Sequence, residues 1–157
     1  MKINNIDYYW QKSKYSCGPT VLKMVFEYLG KRFSRKRLAK LCKANPKSGT
    51  SHKDMANVAR NAGFNYFAKS NANLKDLLYF LDKKLPVIVN YKSLKTNEGH
   101  YSVVKGFDKK NEEIILADPS YGPDYHIAWK TFSKRWHNEN NTSKKWFLAV
   151  FEGEDLN

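Results

Sequence analysis

Cysteine is scarce in this chain: Cys17 and Cys42 are the only two among 157 residues. A disulfide-stabilised scaffold needs more cysteines than this, so that class is excluded. A single bridge between the two thiols stays open, although nothing in the sequence requires it. Each thiol therefore has to be interpreted separately, as a structural residue, a metal ligand or a nucleophile.

Long apolar runs are also missing. The first ten residues, MKINNIDYYW, contain no apolar stretch of signal-peptide length, and no segment is long enough to span a bilayer. We therefore expect no transmembrane segment. The expected location is the cytoplasm, as a free protein or as a domain separated from a membrane-bound partner.

Acidic residues are few: 15 Asp and Glu stand against 28 Lys and Arg, a formal net charge of +13. Such a balance permits binding to nucleic acid, anionic lipid or acidic peptides. The positive residues are scattered, however, which favours an ordinary solvated surface, and no nucleic-acid motif accompanies them. In the one dense patch, residues 31–43, Phe33, Leu38 and Leu41 predict the buried face of a short helix. No nucleic-acid partner is expected.

Paired metal-ligand spacings such as CxxC or HxxxH do not occur, although the chain has four histidines. A structural zinc site is therefore not predicted. A phosphate-binding glycine loop is absent as well. We expect no metal and no cofactor.

The chain has enough apolar residues, 41%, to form a core. It shows no internal repeat and no low-complexity linker, so residues 1–157 are predicted to form one domain. Helical periodicity comes first, and β-branched and aromatic runs follow, which is the α+β pattern. The first predicted helix carries an apolar pattern over 21–29 and ends at Gly30, and the other predicted helices cover 34–43, 51–62 and 73–84. The main predicted strands cover 86–91, 100–108, 113–118 and 145–152. Shorter segments predict a strand at 64–68, a strand at 125–129 and a helix at 131–136.

Cys17 lies where a polar loop becomes the first helix, in QKSKYSCGPTVLKMVFEYLG, residues 11–30. Unpaired N–H groups and the positive end of the helix dipole favour a thiolate at such a position. Gly18 is expected to let a substrate backbone approach, and Pro19 suits the first helical turn. A small buried hydrophobe is the simpler interpretation of the stretch alone. That interpretation is the one predicted for Cys42, which lies in the apolar pattern of its helix.

A base for such a nucleophile is offered by His100, which opens a predicted strand after Gly99. Gly99 is expected to leave room in front of the ring. Asp118 ends the following strand, and two neighbouring antiparallel strands can bring it close to His100. A carboxylate there could hold the imidazole by its second nitrogen and favour the imidazolium. The order of these residues along the chain, Cys17, His100 and Asp118, is stronger evidence for a catalytic site than any one of them alone.

These stretches, together with GTSHKDMANVARNAGF, LPVIVNY, GHYSVVKGFD and ILADPSYG, resemble the peptidase domain of bacteriocin-processing ABC transporters. That family contains the papain-like peptidases that remove double-glycine leader peptides. The resemblance covers roughly residues 8–122 and is weaker in the last strand. It implies a papain-like α+β fold, with a helical part packed on an antiparallel sheet, and a cysteine peptidase acting on a peptide or protein substrate. It also implies a separate ABC transporter as a possible partner.

The resemblance also assigns roles. Cys17 matches the nucleophile, His100 the general base and Asp118 the residue that orients it. Gln11, six positions before Cys17, matches the glutamine whose amide lines the oxyanion hole. Ser16 departs from the family, which often has an acidic residue before the cysteine. Two alternatives stay open: a silent peptide-binding module of the same fold, and a related cysteine amidase or transferase.

Overall fold

A computed structural model describes residues 1–153 of the chain. Within these residues, five helices and six strands follow one another in the order that the sequence predicts, with helices concentrated in the first half. The helices are α1 (Cys17–Tyr28), α2 (Arg35–Leu41), α3 (His52–Asn61), α4 (Leu74–Asp82) and α5 (Trp129–Arg135). The strands are β1 (Asn65–Lys69), β2 (Val87–Lys92), β3 (Gly99–Asp108), β4 (Glu113–Asp118), β5 (Gly122–Ala128) and β6 (Phe147–Phe151).

Side-chain caps fix where three of the helices begin. Ser34 accepts a hydrogen bond from the backbone N–H of Arg37, and Ser51 accepts one from that of Asp54. Asn73 and Asp76 form a reciprocal capping box at the start of α4. Each cap satisfies backbone donors that have no partner inside the helix. The helix start that the sequence predicts at Ser51 is confirmed.

All six strands form one antiparallel sheet in the order β1-β6-β2-β3-β4-β5. The last strand, β6, lies between β1 and β2 and pairs with both, so β1 is joined to the rest of the sheet only through the C-terminal strand. Consecutive strands β2, β3, β4 and β5 are neighbours, which suits their short connections. The predicted α+β class, helices packed on an antiparallel sheet, is confirmed.

The sheet has a hydrophobic core on each face. Helix α1 packs on β3 at one face, together with α2 and α3. Helices α4 and α5 pack on the other face. Strands β3 and β6 are therefore buried on both sides, and the sequence of β6, FLAVF, is a continuous apolar run rather than an alternating one.

One predicted core position is wrong. Leu41 is 44% exposed, whereas Leu38 and Cys42 are fully buried. Helix α2 ends at Leu41, and the backbone turns at Cys42, which takes the interior position. The sequence pattern predicts a helix that continues to residue 43, two residues beyond its observed end.

The N-terminal segment before α1 runs along the sheet without being a strand. Lys2 bridges to Gly106, and the N–H of Ile3 donates to the carbonyl of Lys105 at 2.8 Å. Further on, the N–H of Gln11 donates to the carbonyl of Pro119 at 3.0 Å. The segment thereby carries Gln11 to the loop after β4. Among residues 1–153, no helix combines the length and the hydropathy that crossing a bilayer requires.

Candidate active site

Cys17 is the first residue of α1 and is 7% exposed. Its N–H lies in the first turn, where backbone donors have no partner within the helix. Ser16 precedes it as the N-cap residue, but the Ser16 side chain does not cap the helix. The thiol therefore lies beside N–H groups that point away from the helix, as a nucleophile requires.

The Ser16 hydroxyl organises the loop instead. It accepts hydrogen bonds from the N–H groups of Lys12 and Ser13, at 3.1 and 3.0 Å. It donates to the carbonyl of Ser13 at 2.9 Å. These bonds close a tight turn between Gln11 and Cys17.

His100 and Asp118 are brought together by adjacent strands. His100 is the second residue of β3, and Asp118 is the last residue of β4. The Nε2 atom of His100 lies 2.8 Å from Oδ1 of Asp118. The Cys17 thiol is close enough to His100 to raise the pKa of the imidazole, and Nδ1 is the ring nitrogen that does not face Asp118. The three residues that the sequence predicts as a group therefore meet in one place.

The Asp118 carboxylate is fully buried but well supplied with donors. Oδ2 accepts from the Tyr91 hydroxyl at 2.7 Å. Oδ1 accepts from the N–H groups of Ser120 at 2.9 Å and Tyr121 at 3.2 Å, in addition to His100. Because each oxygen is satisfied, the carboxylate can remain charged without solvent.

The electrostatics favour a charged pair. Burial by itself lowers the pKa of His100, but its hydrogen bonds to Asp118 and Cys17, and the charges of those groups, outweigh burial and raise the pKa to about 10. Burial would raise the pKa of Asp118, yet the hydrogen bonds from His100, Tyr91 and Ser120 hold it below its usual value. An imidazolium beside a thiol is the arrangement that stabilises a thiolate.

Gln11 is connected to this group through Ser120, whose N–H donates to Asp118. Its Nε2 donates to the carbonyl of Ser13 at 2.8 Å, and its Oε1 accepts from the Ser120 hydroxyl at 2.8 Å. The amide is therefore held at both ends. One of the two N–H groups on Nε2 is used for Ser13, and the amide has a second to offer.

Three residues of the site were missed by the sequence analysis. Tyr91 lies directly opposite His100 in the pairing of β2 with β3, and the turn between the strands separates the two in sequence. Ser120 follows Asp118 in a turn where an aspartate accepts N–H groups two and three residues on, and this Asp-Pro-Ser sequence is a recognisable signal. The Tyr8 hydroxyl donates to the backbone carbonyl of Asp118, and nothing in the sequence indicates that contact.

The other thiol and histidines lie elsewhere. Cys42 is fully buried, and burial raises its pKa to about 12, which suits a structural residue. His52 stacks on Trp146 at 4.0 Å between ring centroids. His126 pairs with Glu113, and His137 bonds the backbone carbonyl of the next residue. Within residues 1–153 no three His, Cys, Asp or Glu side chains gather as a metal site.

The two glycines beside the site have a different role from the expected one. A Cβ on Gly18 would lie 3.0 Å from the Thr50 side chain, and one on Gly99 would lie 3.1 Å from Glu139. The missing side chains therefore allow other segments of the protein to pack closely. The predicted space for a substrate backbone at Gly18, and in front of the His100 ring at Gly99, is therefore not supported.

Residues 3–144 match the family model described as the Peptidase_C39 like family. The chain belongs to the peptidase C39-like family. No curated protein matches this C39-like chain by sequence.

Solved structures agree with this membership at the level of the fold. The peptidase domain of Streptococcus ComA, a bi-functional ABC transporter of a quorum-sensing pathway, matches 95% of the C39-like chain and 100% of its own, with 23% identity and a TM-score of 0.76. A double glycine motif protease from an AMS/PCAT transporter, solved with the leader peptide, matches 97% of this chain and 94% of its own, with 21% identity and a TM-score of 0.69. A C39-like peptidase candidate from Bacillus anthracis matches 98% of each chain, with 14% identity and a TM-score of 0.79.

Proposed function

We propose that the chain is a cysteine peptidase in which Cys17 is the nucleophile and His100 the general base. The observation that carries the proposal is the relay from Cys17 through His100 to the buried carboxylate of Asp118, at the start of a helix. Family membership supports the same reaction class. Asp118 holds the imidazole by Nε2 and stabilises its charged form.

The reaction follows from this geometry. The Cys17 thiolate attacks the carbonyl carbon of a peptide bond, and the carbonyl oxygen takes up the negative charge. The donors proposed to share that charge are the N–H of Cys17 and the second N–H of the Gln11 amide. His100 then gives its proton from Nδ1 to the leaving amine as the carbon–nitrogen bond breaks, and a thioester remains on Cys17. Water, deprotonated by His100, hydrolyses the thioester and restores the thiol.

The proposed substrate class is a leader peptide that is cut after small residues. Its support is the family and the neighbouring structures, one of which was solved with a leader peptide. The proposed partner is a separate ABC transporter, since the neighbours include peptidase domains of such transporters. Gly18 and Gly99 do not support this specificity, because Thr50 and Glu139 pack against them.

Thiol labelling tests the nucleophile before any substrate is known. Iodoacetamide should alkylate Cys17 at pH 6, where an unassisted thiol with a pKa near 8.5 reacts slowly. His100→Ala should slow that labelling at pH 6 by at least roughly tenfold, because the imidazolium is lost. Cys42→Ala is the matched control and should label like the wild type. Equal labelling of Cys17 and Cys42 would contradict an activated nucleophile.

A peptide library then tests the reaction. Peptides containing Gly-Gly followed by varied residues are incubated with the wild type, Cys17→Ala and Cys42→Ala, and the products are identified by mass spectrometry. Cleavage after Gly-Gly by the wild type and Cys42→Ala, and none by Cys17→Ala, is expected. Transfer of the acyl group to an added amine instead of water would favour a transferase. Binding without turnover in all three proteins would favour a silent module.

A further inference from the structure

The loop after β4 holds the N-terminal segment at three consecutive residues. The Asp118 carbonyl accepts from the Tyr8 hydroxyl, and the Pro119 carbonyl accepts from the N–H of Gln11 at 3.0 Å. The Ser120 hydroxyl donates to Oε1 of Gln11 at 2.8 Å. The loop that begins at the carboxylate partner of His100 thus also supports the Gln11 amide.

The hydrogen-bond partners of the Gln11 amide determine which of its ends is the NH₂ group and which is Oε1. The carbonyl of Ser13 can only accept a hydrogen bond, so the end of the amide that faces it, at 2.8 Å, must be the NH₂ group. Oε1 therefore faces Ser120, and the Ser120 hydroxyl must be the donor of that bond. Without the hydroxyl, Oε1 would have no donor from this side, and the amide could rotate about its hydrogen bond to the Ser13 carbonyl.

Ser120 also touches the other half of the site. Its backbone N–H donates to Oδ1 of Asp118 at 2.9 Å, the same oxygen that receives Nε2 of His100. One residue thus contacts both the carboxylate that holds the base and the amide beside the nucleophile. The backbone bond survives any change of the Ser120 side chain, whereas the hydroxyl bond does not, so the two contacts can be separated by mutation.

We propose that Ser120 is a positioning residue that fixes the Gln11 amide so that its free N–H points to the developing oxyanion. Ser120 itself touches no reacting atom. The proposal rests on the proposed function, because it assigns Ser120 a part in acyl transfer at Cys17. It extends that function by naming a residue that couples the oxyanion donor to the His100–Asp118 pair.

Two probes separate the oxyanion from the thiolate. With p-nitrophenyl acetate, Cys17 Sγ bonds to the acetyl carbon through a tetrahedral oxyanion, and p-nitrophenolate leaves with the electron pair of the broken carbon–oxygen bond. With iodoacetamide, Sγ displaces iodide from a CH₂ group, and no oxyanion forms. A defect confined to the oxyanion donor should slow the first reaction and leave the second unchanged.

Ser120→Ala should slow acetylation of Cys17 by roughly tenfold, less than the hundredfold or more that loss of a whole oxyanion donor costs. Its iodoacetamide rate and the pH dependence of that rate should equal those of the wild type, which also shows that the variant is folded. Ser120→Thr should restore most of the acetylation rate. In a Gln11→Ala background, Ser120→Ala should add no further loss, because the amide that it positions is gone.

Ser102→Ala is the matched control, since the Ser102 hydroxyl bonds the Ala117 carbonyl at 3.3 Å and is not part of this network. Its acetylation rate should match the wild type. The proposal is overturned if Ser120→Ala acetylates normally, if both probes slow equally, or if its loss adds to that of Gln11→Ala. Absence of Cys17-dependent acetylation in the wild type would overturn the proposed function itself, which is a different result.

Discussion

At the scale of single residues, Asp118 shows how a charge can be kept away from water. Its side chain is completely inaccessible, yet both oxygens accept hydrogen bonds, and one of the donors is an imidazole that becomes a cation. Burying an unpaired carboxylate would shift its pKa upward until it became neutral. Here the donors outweigh burial, and the pKa of Asp118 lies below its ordinary value. The charge that would hold His100 is therefore present at neutral pH.

The Tyr91 hydroxyl is the donor whose removal tests this view. Tyr91→Phe keeps the ring but leaves Oδ2 of Asp118 without its partner, so we expect the free energy of unfolding to fall by roughly 2 to 3 kcal/mol. Tyr101→Phe is the matched control, because the Tyr101 hydroxyl bonds the neutral carbonyl of Thr50 at 2.7 Å. Its expected loss is about 1 kcal/mol. Urea denaturation at pH 7 measures both, and equal losses would contradict a charged Asp118.

At the scale of local elements, the turn before α1 gives Ser16 a physical role. A side chain at this position has to accept the N–H groups of Lys12 and Ser13, which the Ser16 oxygen does. A carboxylate could accept the same two N–H groups, so the acidic residue often found here in the family is compatible with this turn. Ser16 differs by adding a donor to the Ser13 carbonyl and by placing no negative charge beside Cys17.

Substitution of Ser16 separates these contributions. Ser16→Ala removes the acceptor of two N–H groups, and we expect a loss of about 1 to 2 kcal/mol in the free energy of unfolding. Ser16→Asp should lose less, because a carboxylate restores the acceptor and lies favourably at a helix N-terminus. Thermal unfolding at pH 7 checks the order, wild type and Ser16→Asp above Ser16→Ala. If Ser16→Asp is the least stable of the three, the turn does not accept a carboxylate.

The elements themselves were largely readable in the sequence. Periodicity and caps placed the helices to within a few residues, because Ser51 with Asp54, and Gly30 after α1, are local signals. Leu41 was assigned wrongly for the opposite reason, since the end of α2 at Cys42 is set by how the helix packs. The insertion of β6 between β1 and β2 also has no local signal, because pairing between distant strands depends on the whole sheet.

The same difference between local and long-range signals applies to the residues of the site. His100 and Asp118 were predicted to meet because they lie on consecutive strands joined by a short turn. Tyr91 and Ser120 were not predicted, since their roles depend on strand register and on a side chain 109 positions away, Gln11. The role of Gln11 came from the resemblance, and its contact with Ser120 came only from the structure. Local signals thus identify the proposed reacting groups, whereas the residues that hold them are identified only from the three-dimensional packing.

At the scale of the whole molecule, His52 joins the helical layer to the sheet. It opens α3, stacks on Trp146 just before β6, and approaches the Ser143 hydroxyl at 3.4 Å. Burial lowers the pKa of His52 from 6.5 to about 4. Between these two pH values the unfolded chain binds a proton that the folded protein excludes. The contribution of the neutral His52 ring to the free energy of unfolding is therefore fully present above pH 6.5 and is lost as the pH falls toward 4.

His52→Phe should remove this sensitivity to acid while keeping an aromatic ring on Trp146. Between pH 7 and pH 4, the wild type should lose about 2 kcal/mol more of its free energy of unfolding than the variant, allowing for the partly exposed ring. Urea denaturation at both pH values measures the difference. The pH 7 values serve as the control, since both proteins are then uncharged at this position and differ only in packing. Parallel losses in the two proteins would refute the assignment.

The pairing of β2 with β3 has a consequence for how such a chain can vary. Tyr91 faces His100 only in the observed register, and a shift by one residue would turn its hydroxyl to the opposite face of the sheet. Insertions and deletions in the connecting turn, residues 93–98, are therefore tolerated only when they leave the two strands in step. Over evolutionary time this turn can change in length and sequence, as surface loops do, but every accepted change has to preserve the alignment that brings Tyr91 to Asp118.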